Sequence, residues 1–347
     1  MEIDSVVVQG TTYFNPRSHT ILFHGNCIDG WFSAYIAYTR LNKETVFMYP
    51  ISHSQPNTWP KVEQMRGTHI ILLDVSVPLH VRDTWLSGGA LSINCIDHHE
   101  SSIADWPAGT IDTRSCAALQ TFTHFYPESP IPQWLHVIDR VDRWENVTYE
   151  DRCIREMLNI IAHKPVQQKT QEALKNTEEF IQIMSQPQTA TIFIQQGAVL
   201  LQQKDNTLSK LLQHGTFYTL SQEQIDKWNL PNTWLHKQVY IIDTTGITLD
   251  STEASHLVFL QCPTVSVFIN YRKKVFHNRG ATNAANAANA ANAANAAYSH
   301  NISTSYIYSA RGRDINLTEG TIFKGHPCSA GATLVKEDMV TIPFIIQ

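Results

Sequence analysis

Three short apolar runs open this chain, and each ends against histidine or aspartate. Thr20–Phe23 is followed by His24, His69–Leu73 by Asp74, and Leu91–Ile96 by Asp97, His98 and His99. Each run has the length and near-continuous hydrophobicity of a strand covered on both faces, the habit of parallel sheets. Segments with helical spacing alternate with them. Trp31–Arg40 begins after Asp29-Gly30 and repeats apolar residues at Trp31, Phe32, Tyr35, Ile36 and Tyr38; Cys116–Tyr126 follows Ser115 as a candidate N-cap; Pro132–Trp144 carries a stripe of Trp134, Leu135, Ile138 and Val141. Strand alternating with helix predicts an α/β fold whose N-terminal part is a doubly wound, mainly parallel sheet.

A chain of 347 residues exceeds the usual single core, so two domains and a connector are expected. The first domain spans 1–160. A stretch rich in Gln, Glu, Lys and Leu, from about Lys164 to Leu212, fits long helices, and 161–232 reads as a helical connector. Strand patterns return at Gln238–Asp243, Thr264–Tyr271, Lys274–His277, Ile302–Ser309 and Met339–Ile346, so 233–347 reads as a smaller α/β domain with a mixed sheet. Within it, Asn283–Ala297 is five Asn-Ala-Ala triplets, a low-complexity insertion over 281–297 that has nothing with which to build a core and no catalytic role.

Charge and cysteine narrow the partners. A formal net charge of −5 argues against a protein that tracks long duplex nucleic acid, which needs an excess of Lys and Arg to displace counterions. Short phosphorylated substrates stay open. The six cysteines form no CxxC pair, so neither a disulfide framework nor a zinc knuckle is indicated. The acidic N-terminus lacks a basic and an apolar region, and no stretch approaches the roughly 18 to 20 apolar residues of a spanning helix. The expectation is a cytoplasmic protein with no membrane partner.

The ends of the strands carry the chemistry. In an open parallel sheet, ligands gather at the carboxyl ends of the strands, so three runs deliver His and Asp to one crevice. Taken singly, His24 reads as a loop histidine and Asp74 as a helix cap; Asp97-His98-His99 suits a divalent-metal site of mixed N and O ligands. Three coincidences at strand ends favour the metal site.

The combination resembles the DHH phosphoesterases, named for their Asp-His-His motif. His24-Gly-Asn-Cys-Ile-Asp29-Gly30 is similar to the family's first motif, Asp74 to the second, Asp97-His98-His99 to the third and Asp139-Arg-Val-Asp142-Arg-Trp144 to the fourth. Ser309-Ala-Arg311-Gly312 and Gly325-His326-Pro-Cys-Ser329-Ala330-Gly331 resemble the SxR and GHxxAAG signatures of the DHH-associated domain. The family includes single-strand exonucleases, nanoRNases, cyclic-dinucleotide phosphodiesterases and, with a different C-terminal domain, pyrophosphatases. The first motif is similar to the oligoribonuclease or cyclic-nucleotide phosphodiesterase-like branch.

The resemblance implies His24, Asp29, Asp74, His98 and Asp142 as main ligands, with Asp74 bridging, Asp97 holding a histidine tautomer, and His99 near the bridging water or the scissile phosphate. Asp139 and Asp142 are three apart on one side of a helix; either could serve, with Asp142 preferred and Asp139 placed to pair with Arg143. Where many members carry a second aspartate, this chain has Cys27, a poor ligand for Mg²⁺ or Mn²⁺ that can bind a transition metal as thiolate. The cofactor is therefore read as one or two divalent ions, Mn²⁺ in preference to Mg²⁺. Arg311, with Gly325, His326, Ser329, Ala330 and Gly331, would take the substrate's phosphate, through a fork-shaped cation and close backbone amides, especially if a helix begins there.

The reading is a phosphodiesterase or exonuclease that releases nucleoside monophosphates from short oligonucleotides or dinucleotides. The alternatives are a phosphomonoesterase acting on a bisphosphorylated nucleotide and, because of Cys27, a nucleotide-binding protein without turnover. Oligomeric state is left open, a homodimer being one option.

Overall fold

The computed structural model describes residues 6–8, 11–13, 19–41, 43–52, 56–107, 110–162, 166–228, 230, 232–247, 249–277, 302–313, 324–326 and 329–335. The chain divides into two compact units, Met1–Lys204 and Asp205–Gln347. The Asn-Ala-Ala tract and the strand expected at Met339–Ile346 lie outside the described residues.

In the first unit a short antiparallel pair, β1 (Val6–Val8) and β2 (Thr11–Tyr13), precedes the main sheet. The sheet is built from β3 (His19–His24), β4 (Val46–Ile51), β5 (His69–Leu73) and β6 (Ser92–Ile96) in the order β4-β3-β5-β6, with every pairing parallel. Helix α1 (Ile28–Arg40) links β3 to β4, α2 (Val62–Met65) links β4 to β5, and α3 (Leu79–Ser87) links β5 to β6. Two cores flank the sheet because side chains alternate along a strand. Ile21, Phe23, Ile71 and Leu73 pack with Trp31, Phe32 and Ile36 of α1, whereas Leu22, Ile70 and Leu72 pack with Met65 of α2 and Trp85 of α3. This is the doubly wound arrangement. Its connections diverge on either side of β3 and β5, so the switch point of the topology lies between the strands that end in His24 and Leu73.

Helices α4 (Ala117–Phe125), α5 (Gln133–Arg143), α6 (Tyr149–Ala162) and α7 (Val166–Met184) follow, and α8 (Pro187–Leu212) carries the chain into the second unit. Leu135 and Ile138 of α5, Leu158 of α6, Phe180 of α7 and Phe193 of α8 join the core beside α1. Burying each such side chain contributes roughly 1.5–3 kcal/mol. Trp31 satisfies its indole N–H by donating to Thr177 Oγ1 at 2.8 Å. The helices that the sequence marks as a connector thus place apolar side chains in the first unit's core before the chain leaves it.

Two local expectations change. The third apolar run is half-exposed, since β6 is an edge strand and Leu91 beside it is 54% exposed. Ser115 does not cap α4: the N-cap is Cys116, and the first free amides of the helix donate to a carboxylate from α1 instead.

The second unit holds β7 (Thr216–Thr219), α9 (Gln222–Trp228), β8 (Gln238–Asp243), α10 (Ser251–Gln261), β9 (Val265–His277), β10 (Ile302–Gly312), β11 (Lys324–His326) and β12 (Ser329–Val335). Its sheet runs β11-β12-β10-β9-β8-β7, with β8 and β9 parallel and the other neighbours antiparallel, a mixed sheet. Among the described residues no helix begins after His326; Ser329–Val335 is a strand paired with both β11 and β10.

Candidate metal centre

The site lies where β3, β5 and β6 end. His24 is the last residue of β3; Asp74 follows β5 with a left-handed backbone (φ 59°), its amide donating to the Ile96 carbonyl at 3.0 Å; Asp97-His98-His99 follows β6. Asp29 comes from the first turn of α1 and Asp142 from α5. Gly30 allows α1 to start this close to the strand, because a Cβ there would stand 2.3 Å from the His24 carbonyl oxygen.

Asp74 is the centre of the cluster. It is 1% exposed. Its Oδ2 faces His24 Nδ1 at 3.3 Å and its Oδ1 faces His98 Nε2 at 3.3 Å, yet neither oxygen meets hydrogen-bond geometry with a partner. His98 Nε2 also stands 3.6 Å from Asp29 Oδ2 and 3.3 Å from Asp142 Oδ2. Two groups of donor atoms each lie within 4.8 Å of one another, His24 with Asp74 and His99, and Asp29 with Asp74 and His98, so Asp74 belongs to both. The cluster has the donor set of a divalent-cation centre.

Charge explains the rest. Four carboxylates and three imidazoles share a buried space, and in it the imidazolium protons do what a cation would do. Burial would push Asp74 up, but His24, His98 and His99 together hold it well below the usual carboxylate range. Burial pushes Asp29 well above that range, and Asp74 and Asp142 add to the effect. Burial also raises Asp142, with His98 opposing. His98 would be lowered by burial, yet Asp74, Asp142 and Asp29 push it up to about 10.

Asp97 plays another part. Its Oδ1 accepts from His99 Nδ1 at 2.6 Å and from the His98 amide at 2.8 Å, while Ser102 Oγ donates to Oδ2 at 3.1 Å. The bond fixes the His99 ring and keeps a proton on Nδ1. Ser102 is itself 2.6 Å from Ser76 Oγ. Neither serine stands out in the sequence; the only signal is position, Ser76 two residues after Asp74 and Ser102 three after His99.

The other candidates fall differently. Asp139 Oδ1 accepts from the Cys116 amide at 2.7 Å and stands 3.3 Å from Arg143 Nε, so it braces α4 and α5; neither it nor Asp142 is in the two donor groups, and Asp142 is set apart by its 3.3 Å approach to His98. Asp29 does both jobs: its two oxygens accept from the Ala117 and Ala118 amides at 2.8 and 2.7 Å. Cys27 is the N-cap of α1; burial pushes its thiol up, and Asp74, Asp142 and Asp29 push it further. In the second unit Arg311, on β10, donates to the Ala310 carbonyl at 2.9 Å, to Ser309 Oγ at 3.2 Å and to Thr252 Oγ1 of α10 at 3.3 Å. The register sets Ser309 opposite Gly331, Ala310 opposite Ala330 and Arg311 opposite Ser329, with Gly325 and His326 of β11 opposite Ala330 and Ser329. The two C-terminal signatures therefore lie on neighbouring strands.

No family model matches the chain, and no curated protein matches it in sequence. The chain is similar to several solved structures. One is a pGpG-specific phosphodiesterase from Vibrio cholerae, at 10% identity and TM-score 0.46, covering 92% of this chain and 95% of that one. Another is the DHH domain of a protein described as a member of a family of ribosomal proteins, at 12% identity and TM-score 0.46, covering 93% and 84%. A third is RecJ in complex with Mn²⁺ from Thermus thermophilus, at 12% identity and TM-score 0.41, covering 92% of this chain and 50% of that one. With these TM-scores below 0.5, what the centre does has to be argued from its own side chains. Among the described residues no helix is long and apolar enough to cross a membrane.

Proposed function

We propose that the chain is a metal-dependent phosphoesterase that hydrolyses short oligonucleotides or dinucleotides to nucleoside monophosphates, in the manner of the DHH phosphoesterases its motifs resemble. The observation that carries this is Asp74, a buried carboxylate whose oxygens face a histidine on either side without meeting hydrogen-bond geometry. An ionised carboxylate is costly to bury without full hydrogen bonding, and a divalent cation held here would offset that cost.

His24, Asp29, Asp74, His98 and Asp142 would hold the ions. When bound, divalent ions lower the pKa of a bound water towards about 7 and neutralise the charge of the phosphate under attack. The chain's own residues do the rest. Asp97 holds His99 in one orientation with a proton on Nδ1, which leaves Nε2 to meet the scissile phosphate or the departing oxygen. Asp29 ties the centre to the start of α4, so the ligands are set before any ion arrives.

Substrate length follows from charge. With a net charge of −5, the chain has few cations to spare for a long polyanion, and Arg311 beside the signature strands suits a single phosphate. Mn²⁺ is preferred for the carboxylate-rich part of the centre. The test is incubation of the purified chain with Mn²⁺ and a panel of labelled dinucleotides, short RNAs and a 3′,5′-bisphosphorylated nucleoside. Mononucleotide release from the dinucleotides and RNAs is expected. Hydrolysis of the bisphosphate alone would move the substrate class to phosphomonoesters, and tight nucleotide binding without product would remove the enzymatic reading.

A further inference from the structure

The parallel sheet of the first unit has two edge strands, and they differ in chemistry. β4 carries Pro50, which has no amide to donate, whereas β6, Ser-Ile-Asn-Cys-Ile, holds neither proline nor a charged residue. Alternation fixes which groups β6 turns outward. The Ile96 carbonyl accepts from the Asp74 amide at 3.0 Å on the β5 side, and the Asp97 carbonyl accepts from the Asp112 amide at 3.2 Å on the other. Counting back by twos from Asp97, the amides and carbonyls of Cys95 and Ile93 face away from β5. Among the described residues none of these four groups has a hydrogen-bond partner. The bare edge lies in a groove of about 420 Å³ with Arg82 and Leu86 of α3 on one wall and His124 and Phe125 of α4 on the other. Leu86 is 40% exposed, and Leu91 at the foot of the strand is more so. Arg82 is paired with Asp83 at 3.2 Å and stands over the Trp106 ring, so the guanidinium of the groove is already matched. What fits here is an uncharged extended strand.

We propose that this edge binds a second copy of the chain, the two β6 strands pairing antiparallel about a twofold axis at Asn94 and joining two four-stranded sheets into one. Ile93 of each copy then faces Cys95 of the other and exchanges both amide-to-carbonyl bonds with it, so all the outward groups of the two strands are satisfied. The two Asn94 side chains, exposed in the single chain, meet on the axis as a non-hydrogen-bonded pair with Cβ atoms about 4.5–5.5 Å apart. A charged residue at that position would confront its own copy, and β6 has none, so the strand complements itself. Leu86 and Leu91 flank the new ladder. Because Asp97, His98 and His99 directly follow β6, pairing on its second side also ties down the strand that delivers them.

The test is sedimentation of the purified full chain over a range of concentrations. Wild type should be a dimer. Asn94→Lys alters a side chain that is exposed in the single chain and sets two ammonium groups on the axis, so it should weaken the dimer by about tenfold or more. Asn94→Cys should link two copies through a disulfide under air oxidation, seen as a doubled mass on a non-reducing gel, because the Cβ separation on the axis is within reach of one. Leu260→Cys, exposed on α10, should not link. A wild type that stays monomeric, a dimer that survives Asn94→Lys, or one that fails to link through Asn94→Cys would overturn the proposal. Hydrogen exchange at the Ile93 and Cys95 amides then says what has the edge instead. In a monomer, slow exchange there would mean another segment of this chain and fast exchange an edge open to a different partner, either of which excludes the second copy.

Discussion

Asp74 is held in a setting that costs the fold. It is buried, its backbone is left-handed, and its oxygens have no hydrogen-bond partner, three features that a stability-driven choice would avoid. His98 carries a pH prediction. Its folded-state pKa is raised to about 10 by Asp74, Asp142 and Asp29 against burial, so its contribution to the metal-free fold is complete below the ordinary value of 6.5 and is lost as pH rises through about 10. A cation held at the proposed centre would compete for the same nitrogen. The rise in Tm caused by Mn²⁺ should therefore grow from pH 6.5 towards pH 10, with proton release on binding; a metal-induced shift that stays flat across this window would exclude His98 as a ligand. Asp97→Asn should cost about 10–100-fold in activity, because the His99 ring loses the acceptor that holds it. Ser102→Ala should reduce activity in the same direction by less, as read from kcat at saturating metal.

At the scale of the element, helix ends decide the geometry. Asp29 receives two amides at the start of α4, and Asp139 receives the Cys116 amide just before it. Asp139→Ala should lower stability by about 1–3 kcal/mol and leave metal stoichiometry unchanged, while Asp142→Ala should lower stoichiometry; thermal melts and equilibrium dialysis separate the two. Helix spacing alone left both aspartates open, since residues three apart share a face, and Asp142 was preferred with Asp139 placed to pair with Arg143. What distinguishes them is Arg143 and the Cys116 amide, which occupy Asp139 and come from tertiary packing. Another helix end is a capping box at α6: Thr148 Oγ1 accepts from the Asp151 amide, and Asp151 accepts from the Thr148 amide and, bidentately, from Arg140. Burial would raise Asp151, but Arg140 and Thr148 outweigh it and the net shift is downward. A depressed carboxylate stabilises above its unfolded-state pKa and ceases to do so as pH falls through the folded-state value. Asp151→Asn should therefore destabilise the first unit by about 1–3 kcal/mol near neutrality and by progressively less in acid, which melts at several pH values would reveal.

Over the whole molecule, the parallel sheet and the mixed sheet were both legible, because buried strands need continuous apolar runs. That His24, Asp74 and His98 come together was legible because each follows such a run. The edge character of β6 was not, because exposure depends on which strand is last in the sheet rather than on its own composition. Nor was the strand after His326, where glycine and alanine signal close backbone approach without saying whether helix or strand provides it. The central claim is that Asp74 is the common ligand of the cation positions, and calorimetric titration of the chelator-stripped full chain with Mn²⁺, for wild type and Asp74→Asn, tests it most directly. Binding by the wild type and its loss in the variant are predicted; equal binding by both, or none by the wild type, would contradict it.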